Sequence, residues 1–191
     1  MSTSIHISSI SDAILAILPQ RVSPARLTHI YGVVETAVYL AQRFGVEHER
    51  VRLAAVAHDM DRDLTPGQGF ALAADWGVAL SATARVHPSL IHGPLSAERL
   101  RRSYGVTDQD VIQAVRHHTL GDPSFGPVGL ILYVADFWEP GRAYLSNEER
   151  EKILSLESVQ EMVRATIVRA QERFGRVAPV TEALLHQVSE G

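Results

Sequence analysis

The 191-residue chain reads as an all-α protein, a single helical bundle of about eight to ten helices. Three observations predict this. Apolar residues recur at the 3.6-residue helical period along nearly the whole chain. The periodic stretches begin at helix-start signals such as Ser23-Pro24 and Thr65-Pro66 and stop at Gly45, Gly105 and Gly121. Strand signals are weak. The only candidate, residues 128–134, is flanked by helical stretches and would lack a pairing partner, so it is expected to be a buried helix.

Taken in order, residues 7–18 place Ile10, Ile14, Ile17 and Leu18 at helical spacing and stop at Pro19. The next helix is capped by Ser23 and carries Leu27, Ile30, Val34, Ala37, Val38 and Ala41 to about residue 44. Residues 47–60 are helical through Val51, Ala54, Ala55 and Val56 and end in the charge run Asp59-Met60-Asp61-Arg62-Asp63, in which Asp61 and Asp63 are expected to be solvated. A short helix follows Thr65-Pro66 toward Gly77. Residues 90–93 form a break, and residues 94–104 form a helix. Thr107 is expected to cap the helix ending at His118. Residues 128–138 make the buried helix. Residues 148–174, broken near 155–158, and residues 180–188 supply the rest.

Bulk composition excludes several function classes. Hydrophobic content is 46% and charged content 21%, ordinary for a chain that buries a core. The net charge of −4 argues against a nucleic-acid binder, which is usually basic. With no cysteine, a disulfide, a thiolate metal site and a cysteine nucleophile are all excluded. The first 18 residues lack the basic and apolar regions of a signal peptide, and no run of 18 apolar residues suggests a membrane span, so the expected location is the cytoplasm. The expected organisation is an N-terminal helix (1–22), a core carrying the site (23–145) and C-terminal helices (146–191) that either cover the core or form the face of a homodimer.

Chemistry concentrates in His29, His58, Asp59, His92, His118 and Asp136. Each falls at a helix end or on an apolar face, where an ionisable group needs a partner. Singly, a histidine there is a hydrogen-bonded core residue, and Asp136 is explained by an ion pair with Arg116 or Arg142. As a set they suit a metal held by imidazole and carboxylate, which accepts iron, manganese, zinc or cobalt. His58 and Asp59 diverge by about 100° on a helix, so they cannot chelate as an i, i+4 pair does. The remaining ligands must come from other helices.

The order H…HD…H…H…D resembles the HD-domain phosphohydrolase superfamily. The local text is similar to its YqeK subfamily of symmetrical bis(5'-nucleosyl)-tetraphosphatases. Arg26-Leu27-Thr28-His29-Ile30-Tyr31-Gly32-Val33 resembles that subfamily's first block, and Ala54-Ala55-Val56-Ala57-His58-Asp59 its second. Ile91-His92-Gly93-Pro94-Leu95-Ser96-Ala97 resembles the third, and Ala114-Val115-Arg116-His117-His118-Thr119-Leu120-Gly121 the fourth. The run from Tyr133 through Asp136, Glu139 and Pro140 to Arg142 resembles the fifth. Two positions depart from the pattern: Arg62 stands where the family has lysine, and Ser96 where it has glycine.

The resemblance implies an α-helical, two-metal hydrolase, often iron-dependent, that cuts diadenosine tetraphosphate into two ADP. Carried over by position, His29, His58, Asp59 and Asp136 would hold one metal. Asp59, His92 and His118 would hold the other, with Asp59 bridging. Two metals sharing a water would lower its pKa and present a hydroxide to phosphorus. Arg62 and Arg142 are the phosphate-binding candidates, and His87, His117 and Trp138 the remaining substrate-binding ones. Each has a plainer reading: a loop residue for His87, a surface residue for His117, a core residue for Trp138. The rival functions are hydrolysis of another nucleotide (a nucleoside monophosphate or an alarmone) and nucleotide binding without turnover.

Overall fold

A computed structural model describes the backbone of residues 2–190 and the side chains of residues 7–190. Among the described residues there are eleven α-helices and no strand. They are α1 (Ser2–Ile17), α2 (Pro24–Phe44), α3 (His48–Ala57), α4 (Pro66–Asp75), α5 (Ala82–Val86), α6 (His92–Tyr104), α7 (Gln109–His117), α8 (Pro127–Trp138), α9 (Asn147–Leu154), α10 (Val159–Phe174) and α11 (Pro179–Glu190). The helix beyond the expected range is α5, whose five residues are too few to show a hydrophobic period.

The buried-helix expectation for α8 holds. Val128 through Ala135 are all buried, as is Trp138, and α2, α3, α7 and α10 pack around it. Its apolar run is continuous because the helix is covered on every side. One core takes residues from Ile7 in α1 to Val188 in α11, so the terminal helices share a core with the central ones. A smaller apolar cluster of Ala73, Ala84, Ile91 and Leu95 lies under α4, α5 and the start of α6.

Local chemistry sets the helix ends that matter. Ser23 caps α2 by accepting the Arg26 N–H, and Gly45 closes it with φ 66°, where a side chain would be strained. The α7 cap is Asp108 rather than Thr107. Its carboxylate accepts the N–H groups of Asp110 and Val111 and also binds Arg50 at 2.6 Å. The start of α6 is His92 rather than Pro94, which a proline in the first turn permits because that turn has no N–H to lose. Finally, α3 stops at Ala57, earlier than its apolar period suggests. The chain then descends through tight turns, Met60 N–H to Ala57 O at 3.2 Å and Arg62 N–H to Asp59 O at 3.1 Å.

Those turns overturn the expectation that Asp61 is a solvated helix end. Asp61 is only 2% exposed. Its carboxylate accepts from Arg21 at 2.8 Å and from both Nε and Nη2 of Arg99, the latter at 2.7 Å, which ties α1's exit and α6 to the turn. Asp63 accepts the Ser23 N–H at 2.6 Å and so anchors the start of α2. Ser96 is fully buried and its hydroxyl accepts the Asp61 N–H at 3.2 Å.

Candidate metal centre

All six sequence-predicted ligands meet where α2, the end of α3, the start of α6, the end of α7 and α8 converge. Their spatial order explains how separate helices supply one site. His58 and His118 each follow the last residue of a helix, His92 begins one, and His29 and Asp136 lie within helices. Because α3 ends at Ala57, His58 and Asp59 leave the helix and turn toward the same centre despite being neighbours in sequence.

Three of the histidines are fixed by one device. His58 Nδ1 lies 2.7 Å from Ala55 O, His92 Nδ1 2.6 Å from Ser89 O and His118 Nδ1 2.8 Å from Val115 O. Each acceptor is the carbonyl three residues earlier, left open by a helix end or a tight turn. A carbonyl can only accept, so Nδ1 carries a proton, and in the neutral ring Nε2 is then the nitrogen with the lone pair. His29 is held differently: its Nδ1 donates to Glu139 Oε1 at 3.1 Å. A carboxylate behind the imidazole is a common support for a metal-ligating histidine.

The four Nε2 atoms then face inward. His29 and His58 approach to 3.3 Å and His92 and His118 to 3.0 Å. Lone pairs aimed at one another at such distances repel unless a cation lies among them. Asp59 stands between the two pairs. Its Oδ1 is 3.0 Å from His92 Nε2 and 3.6 Å from His118 Nε2, whereas Oδ2 is 3.5 Å from His58 and 3.7 Å from His29. Asp136 Oδ1 lies 3.1 Å from His29 Nε2. Three groups have ligand atoms within 4.8 Å of one another: His29, His58, Asp59; His58, His118, Asp136; and Asp59, His92, His118. Neutral imidazoles with carboxylate oxygens, all turned to one point, fit hard or borderline divalent ions, and the cluster could hold them.

Electrostatics tie the carboxylates and histidines together. Burial lowers the His29 pKa, but the hydrogen bonds to Asp136 and Glu139 outweigh it and hold the ring above its ordinary value, so a cation entering there displaces a proton. Burial opposes ionisation of Asp59, but His58, His118 and His92 around it outweigh burial and hold its carboxyl well below the usual range. Asp136 is held far below as well, burial again opposing and His29, His58 and Arg142 prevailing. For His92 burial dominates and lowers the pKa, which favours the neutral, ligating form.

Packing sets the spacing. A Cβ on Gly93 would stand 2.7 Å from Arg116 O and 3.3 Å from Val115 O, so only glycine lets α6 lie this close to α7 and bring His92 to His118. A Cβ on Gly32 would strike the Glu139 carboxylate behind His29.

The remaining candidates divide. Arg142 lines the site, with Nη2 2.5 Å from Asp136 Oδ1 and 3.5 Å from His29 Nε2. Arg62 sits beside His92, but its Nη1 donates to Ser89 O at 2.8 Å, the same carbonyl that fixes His92. His117 is half-buried and lines a cleft with Arg116. His87 is exposed and absent from the walls of the clefts that reach the cluster. Trp138 is corrected outright as a stacking platform: it is 1% exposed and its Nε1 donates to Thr166 Oγ1 at 2.7 Å. Phe137, one residue earlier, lines the cleft instead. An adjacent position on a helix points about 100° away, and burial of the larger ring settled which one turned inward.

Sequence reasoning missed three groups. Glu139 supports His29. Arg26 Nη1 donates to Asp59 Oδ2 at 2.7 Å. Thr119 is exposed, with Oγ1 3.1 Å from His118 Nε2 and 3.4 Å from His92 Nε2. All three lay in the recognised blocks, so position was legible while role was not.

The HD domain family matches residues 26–162. The symmetrical bis(5'-nucleosyl)-tetraphosphatase of Bacillus subtilis (strain 168) is 30% identical over 151 residues, covering 79% of this chain and 81% of that protein. The protein of the same name from Halalkalibacterium halodurans is 30% identical over 130 residues, 68% of this chain and 69% of that one. In fold, the chain is similar to the crystal structure of a predicted HD superfamily hydrolase involved in NAD metabolism from Clostridium acetobutylicum. The TM-score is 0.82 at 24% identity, over 94% of this chain and 96% of that one.

Proposed function

Since the chain belongs to the HD domain family, we propose that it is a metal-dependent hydrolase that cuts diadenosine tetraphosphate symmetrically into two ADP. The observation that carries this reading is Asp59, whose two oxygens face two separate histidine pairs. The relatives named as symmetrical bis(5'-nucleosyl)-tetraphosphatases supply the substrate class.

On this reading His29, His58, Asp59 and Asp136 hold one metal and Asp59, His92 and His118 hold a second. Iron follows the resemblance, and manganese, zinc or cobalt also suits these donors. When bound, such a pair activates water and neutralises charge on the phosphoryl oxygens. The chain's own groups do the rest. Glu139 and the three backbone carbonyls accept the Nδ1 protons and so aim every Nε2 inward. Arg142 lies at the cluster and holds an outer phosphate, whereas Arg62, on the His92 side, is engaged by the Ser89 carbonyl. Water adds to one inner phosphorus, the central bridging P–O bond breaks, and the bridging oxygen leaves with the other ADP. No helix of the described residues is long and apolar enough to cross a membrane, and a small cytoplasmic nucleotide fits a centre reached through clefts.

The test is product analysis of the metal-loaded protein with diadenosine tetraphosphate. ADP as sole product is expected, and Asp59→Ala should abolish it and lower the bound metal. AMP plus ATP would refute symmetrical cleavage, and full metal content in Asp59→Ala would refute the bridging assignment.

A further inference from the structure

Two clefts meet beside the cluster, and their junction is Thr119. The first, about 270 Å³, is lined by His118 and Asp136 of the cluster, by Arg142 and Phe137, and by the exposed Phe174. The second, about 400 Å³, is lined by Pro94, Arg116 and His117 and by Ala79 and Thr83. Thr119, Leu120 and Ala178 line both. Both volumes are on the order of those that enclose small ligands.

Three features point to a ligand that occupies both clefts at once. Thr119 is exposed and its hydroxyl lies 3.4 Å from His92 Nε2 and 3.1 Å from His118 Nε2, so the shared wall is also the edge of the cluster. Each cleft is lined by an arginine: Arg142, which pairs with Asp136 of the cluster, in the first, and Arg116, three residues before Thr119, in the second. Phe174, which lines the first, is 66% exposed, an apolar ring that water does not favour and that a base would cover.

We propose that these clefts are the two nucleoside subsites, one for each half of a dinucleoside polyphosphate, with the phosphate chain crossing Thr119 between Arg142 and Arg116. The proposal rests on the reading of the chain as a symmetrical hydrolase. It explains why cleavage would be central: with a nucleoside on each side of the junction, the middle of the chain lies at the cluster. In the first cleft Phe174 and Phe137 supply the stacking surface that buried Trp138 cannot.

Binding of ADP, the half-substrate, tests this on the metal-loaded full chain. Calorimetric titration should give two ADP per chain. Ala79 is exposed, so Ala79→Trp can fill the second cleft without entering the core. It should leave one ADP per chain and reduce kcat/KM for diadenosine tetraphosphate at least ten-fold. Phe174→Ala, also at an exposed position, should weaken one of the two ADP sites by roughly ten-fold, the scale of one base–aromatic stack. One ADP per chain in the wild type overturns the proposal, as does Ala79→Trp with both ADP sites and turnover unchanged. Two ADP sites that respond to these substitutions, in a protein that does not cleave diadenosine tetraphosphate, would uphold the subsites and refute the hydrolase reading alone.

Discussion

Gly93→Ala probes how the cluster is spaced. The added Cβ would meet Arg116 O at 2.7 Å, and ordinary van der Waals contact begins at 3.4 Å, so about 0.7 Å must be found. The obstacle is backbone at the end of α7, which no rotamer change can move aside. The relief is separation of α6 from α7, and these helices carry His92 and His118, whose Nε2 atoms lie 3.0 Å apart. Metal–ligand distances tolerate only about 0.2 Å, so a shift several times larger weakens a site shared by the two histidines. His29, His58 and Asp136 belong to other elements and should keep their positions. Overpacking of this kind costs about 1–3 kcal/mol, and for a chain of this size each kcal/mol lowers Tm by roughly 2–4 °C. On the proposed two-metal reading, metal content by plasma mass spectrometry should therefore fall from two ions per chain to one, with Tm lower by several degrees. A variant that keeps both ions at wild-type affinity and Tm would refute the claim that this close approach positions His92.

Other perturbations have equally definite outcomes. Glu139→Gln turns an amide N–H toward either His29 Nδ1–H or the Gly141 N–H, both donors; one of the two metal affinities should drop about 10–100-fold in a metal titration while the other is unchanged, and equal loss at both would contradict the pairing of Glu139 with His29. Asp61→Asn removes a buried charge held by Arg21 and Arg99 and should cost about 3 kcal/mol in urea unfolding, whereas a change under about 0.5 kcal/mol would mean the residue is the solvated helix end its sequence suggests. Asp108→Ala removes both the α7 cap and the Arg50 pair and should cost about 1–2 kcal/mol at neutral pH. Arg50 holds the Asp108 carboxyl below its ordinary value, so its contribution is complete above the unfolded pKa and disappears as pH falls through the lower folded one. The gap between wild type and variant should thus be flat down to about pH 5 and close below about pH 4, and a gap that widens with acid would contradict that sign.

Most of the fold was legible because the helical period and cap chemistry are local. Ser23, Thr65, Gly45 and Gly105 mark their helix ends directly, and the continuous apolar run of α8 predicted its burial. The early stop of α3 was not legible. Its apolar period runs past Ala57, and the turns after it are held by Arg21, Arg99 and Ser96, which lie far away in sequence. Asp61 was misread for the same reason: a carboxylate in a charge run looks solvated until the arginines that bury it are known. Arg62, expected at the phosphates, bonds the Ser89 carbonyl, an acceptor with no sequence signature.

By itself the sequence determined which groups can bind metal. Residue chemistry is intrinsic, and polar side chains on apolar helix faces must find partners somewhere in the core. How those groups divide the work came from the family resemblance and not from residue chemistry, because the division depends on distances across helices joined by long stretches of chain. Only the tertiary structure set Asp59 between two histidine pairs, put Glu139 behind His29, turned Phe137 rather than Trp138 toward the cleft and brought α6 within glycine distance of α7. The same packing that excludes water from α8 decides where each Nε2 lone pair points.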